Sequence, residues 1–324
     1  MDGLSQIKFP ITEELEQFMQ LFDSSLVNSN SLLNEVLVHI RKRNGKMMRP
    51  ILVLLMAKLY GRINTATFHA AVGLELLHTA SLVHDDVVDE SAERRGQASV
   101  NAIYNNKVSV LVGDYLLATC LVQSSLTRRN DIVEVIARLG QSLSEGELLQ
   151  LSSVANTDIS EKVYTDVIRK KTADLFAACT AAGALSVGAT PEEVEKSRMF
   201  GEYVGLCFQI KDDIFDYYDS AEIGKPTGND LREGKLTLPA IYAVNQSGNE
   251  AMREMAYKIK NGQASDHEIT RFIQFVKENK GIEYAKDIMY KYREVAVQLL
   301  SAMEDSAVKK SLFAYLDYVV ERTK

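Results

Sequence analysis

Apolar residues recur at helical spacing along almost the whole of this chain, and the apolar–polar alternation of a half-buried strand is nearly absent. Prolines stand only at positions 10, 50, 191, 226 and 239, which leaves long stretches free of the residue that breaks helices. Together these features predict an all-α chain: one single-domain helical bundle over residues 1–324, around a central cavity. A chain of 324 residues can bury a substantial core as one unit. No composition shift marks a linker, and no short-period repeat is present.

The helix punctuation is local and specific. Residues from about 11 to 43 read as two helices separated by Asn28-Ser29-Asn30-Ser31, whose polar side chains can cap the second. A long helix begins near Thr65 or Thr67. Gly113-Asp114 is expected to interrupt the next apolar stretch, which continues through Leu126, and a further helix covers about Ile132 to Leu151. Asp158-Ile159-Ser160-Glu161 resembles a capping box opening the helix that bears Lys170-Lys171-Thr172. Thr190-Pro191-Glu192-Glu193 is a stronger start signal. Gly224 to Gly234 reads as a polar loop, and Ser265-x-x-Glu268 caps another helix.

Two stretches carry the chemistry. Ser81 to Gly96 reads S-L-V-H-D-D-V-V-D-E-S-A-E-R-R-G. Asp85 and Asp89 are one helical turn apart, with Ser81 and His78 on the same stripe and Leu76, Val83 and Val87 opposite. Like charges at this spacing repel unless something positive lies between them. Carboxylates completed by water and phosphate are the usual way to hold Mg²⁺. Arg94 and Arg95 follow as donor forks suited to phosphate. Alone, such a cluster would be read as a solvated acidic helix end. Asp212, Asp213 and Asp216 repeat the D-D-x-x-D spacing behind another apolar helical pattern, with Lys211, Lys225 and Lys235 nearby. The pair reads as the two walls of a metal–diphosphate site.

Several function classes drop out. A net charge of −7 opposes nucleic-acid binding, which needs a basic face. Cys120, Cys179 and Cys207 lie in apolar stretches without paired or metal-ligand spacing, as buried thiols of a reducing cytosol do. The N-terminus has no secretory pattern. The longest uncharged run, Leu175 to Pro191, falls just short of a membrane span and suits close helix packing. A cytoplasmic protein that is not integral to a membrane is expected.

From about Lys46 to Pro239 the motifs resemble the trans-isoprenyl (polyprenyl) diphosphate synthases, most like their medium- and long-chain members. The resemblance rests on Asp85-Asp86-x-x-Asp89 with Arg94-Arg95-Gly96, and on Phe208-Gln209-x-x-Asp212-Asp213-x-x-Asp216. Gly224-Lys225, Gly228-x-Asp230-Leu231 and Gly234-Lys235-x-Thr237-Leu238-Pro239 extend it. It implies the isoprenoid-synthase helical fold, a homodimer, and Mg²⁺-dependent condensation of isopentenyl diphosphate with an allylic diphosphate primer. Roughly three Mg²⁺ ions per site are implied, held by Asp85, Asp89 and Asp212, with Asp86, Asp213 and Asp216 as further ligands or acceptors for metal-bound water. Asp85, Asp86, Asp89, Lys171, Asp212 and Asp213 would be catalytic. Arg94, Lys171 and Lys225 would grip the allylic diphosphate, beside Thr172, Gln209 and Lys235. Lys46, Arg49, His78 and Arg95 would bind isopentenyl diphosphate; this segment lacks a second glycine and an extra arginine often found in the family.

The other titratable residues carry weaker signals. His39, His69 and His267 read as structural, and Lys170 as a surface neighbour of Lys171. Glu145, Glu147 and Gln150 suit a family segment or simple packing equally, and Arg322 and Lys324 would reach a phosphate or fray.

Product length is read from the helix before Asp85. Ala80 and Ser81 are small, so a chain growing toward the helix N-terminus would continue past them to Leu77 and Leu74. That predicts a medium or long all-trans product of roughly six to ten isoprene units, suited to a quinone side chain. The alternatives are a short-chain farnesyl or geranylgeranyl diphosphate synthase, a class I terpene cyclase, and a non-catalytic regulatory subunit. Against the last two, the second motif is aspartate-rich, and the aspartates and phosphate lysines are all present.

Overall fold

The computed structural model describes residues 3–42, 45–94, 96–155, 158–218 and 227–323. Packing divides the chain into two compact units. The first comprises Met1–Gly140, Leu175–Gly201 and Met303–Ala314, and the second Gln141–Asp174, Glu202–Ala302 and Tyr315–Lys324. The all-α expectation holds. The strands among the described residues are Glu93–Arg94 and Gln97–Ala98, a minimal antiparallel hairpin.

The first unit opens with helices α1 (Gly3–Lys8), α2 (Thr12–Ser25) and α3 (Ser31–Arg41). Asn30 caps α3 by accepting the Leu33 N–H at 3.0 Å, as its place in the polar punctuation predicted. Helix α4 (Met48–Tyr60) is buried from Pro50 through Ala57. Helix α5 (Thr65–Val88) starts at the predicted place through a capping box, in which Asn64 accepts from Ala66 and Thr67. It packs against α4 and against α7 (Asn106–Leu126), which follows the short α6 (Val100–Tyr104).

Gly113 does not interrupt α7, which runs unbroken through it. The glycine is there for a non-local reason: a Cβ at this position would collide with the His84 ring of α5. The sequence signal for a helix break was therefore a signal for close approach. Helix α7 is also long and apolar enough to cross a membrane by composition. One face is buried, and Val110, Leu111, Leu121 and Val122 are exposed on the other.

Helices α8 (Asn130–Ala155), α9 (Glu161–Ile168), α10 (Asp174–Ser186) and α11 (Pro191–Phe215) carry the chain through the middle of the sequence. Thr190 and Glu193 form the predicted box at the start of α11, with bonds of 2.7 and 3.3 Å. At α9 the cap is Ser160, which accepts from Val163, rather than a box anchored on Asp158. The Asp158 carbonyl instead accepts from Lys260 at 3.0 Å. The uncharged run is buried from Leu175 through Ala184, as close packing requires. All three cysteines are buried; burial raises the Cys120 thiol to about 11 and those of Cys179 and Cys207 to about 12.

The second unit continues with α12 (Asn229–Arg232), α13 (Leu238–Ser247), α14 (Glu250–Lys260), α15 (Asp266–Glu278) and α16 (Gly281–Ser301), and the last helix, α17 (Ala307–Glu321), begins among residues of the first unit and ends among those of the second. The Ser265–Glu268 capping box at α15 is formed.

Candidate active site

In the first unit, the aspartates lie at the C-terminal end of α5. Asp85 and Asp89 are a turn apart as expected; Asp89 is the residue just past the helix, and its N–H donates to the Asp85 carbonyl at 2.8 Å. Asp86 points the other way. Its side chain is 1 % exposed and accepts from Arg94 Nε at 2.5 Å. The small hairpin, turning at Gly96 with φ 75°, brings Arg94 back onto the helix that precedes it.

His78 and Arg94, read from the sequence as members of different diphosphate pockets, line one pocket of about 60 Å³ with Arg41, Met47, Glu75 and Asp86. Lys46 and Arg49 flank Met47 in the chain without lining that pocket. Lys46 is exposed, and the Arg49 guanidinium lies 5.7 Å from the Phe176 ring centre with Nε buried. Ala80 is fully buried, while Ser81 is half-buried with its hydroxyl on the His78 carbonyl at 2.9 Å. Arg95 lies outside the described residues, as do Lys225 and Lys324.

In the second unit, the last turns of α11 present Gln209, Asp212, Asp213 and Asp216, each in a different setting. Asp212 accepts from Arg322 Nη2 at 2.8 Å. Arg322 also donates to the Phe208 carbonyl at 3.0 Å and stacks 4.1 Å from the Phe208 ring centre. Asp213 is buried, with Tyr164 donating to Oδ2 at 2.5 Å and Gln209 Nε2 to Oδ1 at 2.8 Å. Burial, reinforced by the charge of Asp230, pushes its pKa well up, while the two donors oppose the shift. Asp216 accepts the backbone N–H groups of Asn229 and Asp230 at 2.8 and 3.1 Å, anchoring the start of α12. Asp230 is pushed up to about 7 by burial first and by the neighbouring Asp216 charge second.

The candidate phosphate-binding groups of this unit converge. Lys171, Thr172, Gln209 and Lys235 line one cavity of about 240 Å³, together with Tyr164 and Asp213. Lys171 and Thr172 stand on a π turn, Arg169–Ala173, between α9 and α10. Thr172 donates to Gln209 Oε1 at 2.8 Å. Lys171 donates to Gln150 Oε1 at 3.0 Å and pairs with Glu147 at 2.5 Å, so Glu147 and Gln150 belong to the site. Their three-residue spacing on α8 put them on one face but did not say which cation they meet. Tyr164 was not singled out, and Asp230 was read only as part of the Gly228-x-Asp230-Leu231 motif; the visible signal for Tyr164 was a position seven before Lys171, about two helical turns.

Among the described residues, no group of three or more His, Cys, Asp or Glu side chains is arranged to hold a metal unaided. The donor set does fit Mg²⁺. It is made of hard carboxylate oxygens, with Asp89 exposed at a helix end, and phosphate oxygens and water complete such a sphere.

The model of the polyprenyl synthetase family matches residues 30–276. The chain belongs to that family. It is a prenyltransferase, as the family's members are. The octaprenyl diphosphate synthase of Escherichia coli (strain K12) is 33% identical over 294 residues, which cover 90% of this chain and 91% of that one. A geranylgeranyl pyrophosphate synthase structure from Bacteroides thetaiotaomicron is 56% identical with TM-score 0.88, covering 99% of this chain and 100% of that one. A polyprenyl synthase from Caulobacter crescentus CB15, complexed with calcium and isoprenyl diphosphate, is 30% identical with TM-score 0.92, covering 99% and 98%. The isoprenoid-synthase helical fold expected from the motifs is thus the fold of the solved relatives.

Proposed function

We propose that this chain condenses isopentenyl diphosphate head-to-tail with an allylic diphosphate, in a Mg²⁺-dependent reaction, to make an all-trans polyprenyl diphosphate. The observation that carries this reading is the convergence of Lys171, Thr172, Gln209 and Lys235 on one cavity beside the second aspartate motif. Two ammonium groups, a hydroxyl and an amide match the oxygens of a diphosphate. Asp85, Asp89 and Asp212 are the residues that would hold the metal, with Asp86, Asp213 and Asp216 around them. When bound, Mg²⁺ supplies positive charge that stabilises the departing diphosphate.

Arg94, Lys171 and Lys225 grip the allylic diphosphate, with Lys235 beside them, as its carbon–oxygen bond breaks and charge develops on the leaving group. Lys46, Arg49, His78 and Arg95 bind isopentenyl diphosphate, whose double bond attacks the allylic carbon. A proton is then lost, and the departed diphosphate is its acceptor. The two units work as one catalytic domain. The chain is cytoplasmic and acts as a homodimer; the exposed apolar residues Val110, Leu111, Leu121 and Val122 of α7 support a partner copy on that face.

Product length has two supported readings. Small residues at 80 and 81, and the octaprenyl relative, support roughly six to ten isoprene units and use as a quinone side chain. The 56% identity to a geranylgeranyl pyrophosphate synthase supports the shorter geranylgeranyl product. Incubation with labelled isopentenyl diphosphate, an allylic primer and Mg²⁺ tests the activity, and chromatography of the dephosphorylated products chooses the length. Absence of label in any prenyl product would refute the enzymatic reading.

A further inference from the structure

The π turn Arg169–Ala173 gives up regular helical hydrogen bonding and is held from outside. Thr172 Oγ1 donates to Gln209 Oε1 at 2.8 Å, Gln209 Nε2 donates to Asp213 Oδ1 at 2.8 Å, and Tyr164 Oη donates to Asp213 Oδ2 at 2.5 Å. The amide orientation follows from its partners. With its NH₂ on Asp213, Gln209 has its carbonyl oxygen left to accept from the Thr172 hydroxyl. Tyr164 stands on α9 immediately before the turn, and Gln209 and Asp213 stand on α11. The bonds therefore run from one side of the turn, across α11, and back into the turn itself.

A tyrosine that merely packs a core satisfies its hydroxyl with whatever acceptor is at hand. The Tyr164 hydroxyl instead takes the carboxylate next to Asp212, and its ring lines the cavity that Lys171 and Thr172 also line. We propose that Tyr164 is a positioning residue for the allylic diphosphate: through Asp213 and Gln209 it holds the turn that presents Lys171 and Thr172. The inference rests on the function proposed above.

Tyr164→Phe removes one hydroxyl and keeps the ring. The KM for the allylic primer should rise about tenfold, equivalent to about 1.4 kcal/mol. The Kd of an unreactive allylic thiolodiphosphate, measured by calorimetry without isopentenyl diphosphate, should rise in step. The KM for isopentenyl diphosphate should stay within about twofold, because no link of this bond chain touches Lys46, Arg49 or His78. Adding Tyr164→Phe to Gln209→Ala should cost no more affinity than Gln209→Ala alone, since both cut one chain of bonds. Replacement of Tyr164 by 4-aminophenylalanine restores a donor and should restore affinity, which also decides the matter should the Phe variant fold poorly. Unchanged thiolodiphosphate binding in Tyr164→Phe, an equal rise in both KM values, additive losses, or failure of the restored donor to recover binding would each overturn the inference. Failure of the functional reading shows separately, as an unmodified enzyme that elongates no primer.

Discussion

The two aspartate motifs share one spacing and differ in almost everything around it. At the end of α5, the buried middle aspartate, Asp86, is met by a cation eight residues away, Arg94. At the end of α11, the buried middle aspartate, Asp213, is met by the neutral donors Tyr164 and Gln209, and the nearby cation Arg322 goes to Asp212 instead. The last positions differ too: Asp89 is exposed, whereas Asp216 is occupied by two backbone N–H groups. A repeated motif is therefore not a repeated environment. The first motif leaves Asp89 exposed and locks its centre with charge, while the second uses its centre and its end to organise the protein around Asp212.

The largest expected effect tests what the motifs have in common. Asp85→Ala and Asp212→Ala should each reduce kcat by about 10²–10³-fold, the usual loss when a preorganised charge-stabilising group is removed. Far-ultraviolet circular dichroism should be unchanged. Near-normal turnover at saturating Mg²⁺ in either variant would break the shared role.

The next test sharpens the difference between the two centres. Asp86→Ala strands Arg94 beside a buried hole and should lower unfolding free energy by about 3 kcal/mol. Asp213→Ala strands only neutral donors and relieves repulsion with Asp230, so about 1–2 kcal/mol is expected. Urea unfolding read by circular dichroism compares them, and a reversed order would break the contrast.

A smaller effect separates the end positions. Asp89→Ala should raise the Mg²⁺ concentration giving half-maximal rate. Asp216→Ala should leave that concentration near normal and lower stability by about 1 kcal/mol, as loss of a capping acceptor does. Equal shifts in Mg²⁺ dependence would make Asp216 a ligand after all.

The mildest change in rate belongs to Ser81→Phe, which leaves both motifs intact. Shorter products with a normal first condensation are expected, read by chromatography after dephosphorylation. An unchanged product distribution would move the floor of the product cavity away from α5.

What could be read in advance follows from how far each interaction reaches along the chain. Caps at Asn30, Thr190 and Ser265 are closed within three residues, and each was visible as a short pattern. The aspartate spacing was visible for the same reason. Gly113 was misread because its cause, the His84 ring, belongs to another helix. Asp158 was given a capping role that Ser160 holds, and its carbonyl meets Lys260, 102 residues away. Tyr164 and Asp213 are 49 residues apart, and Asp212 and Arg322 are 110 apart. At such separations residue types alone leave many partners open, and packing makes the choice.

The π turn has a consequence for how this segment can change by insertion or deletion. It carries an extra residue relative to the regular helices on either side. Deleting one residue between positions 169 and 173 would restore ordinary hydrogen bonding, and by local criteria improve the helix. The bulge absorbs the extra residue within one wide turn, so the helix downstream would keep its register and the residues of the turn itself would be displaced. Phe176, Cys179 and Ala182 would stay buried, whereas Lys171 and Thr172 would lose their place on the cavity wall. Substitutions can drift through this stretch one at a time, but a change in its length cannot. The segment should therefore vary in residue type while keeping its residue count, and a one-residue deletion variant should bind the allylic thiolodiphosphate poorly even where it folds.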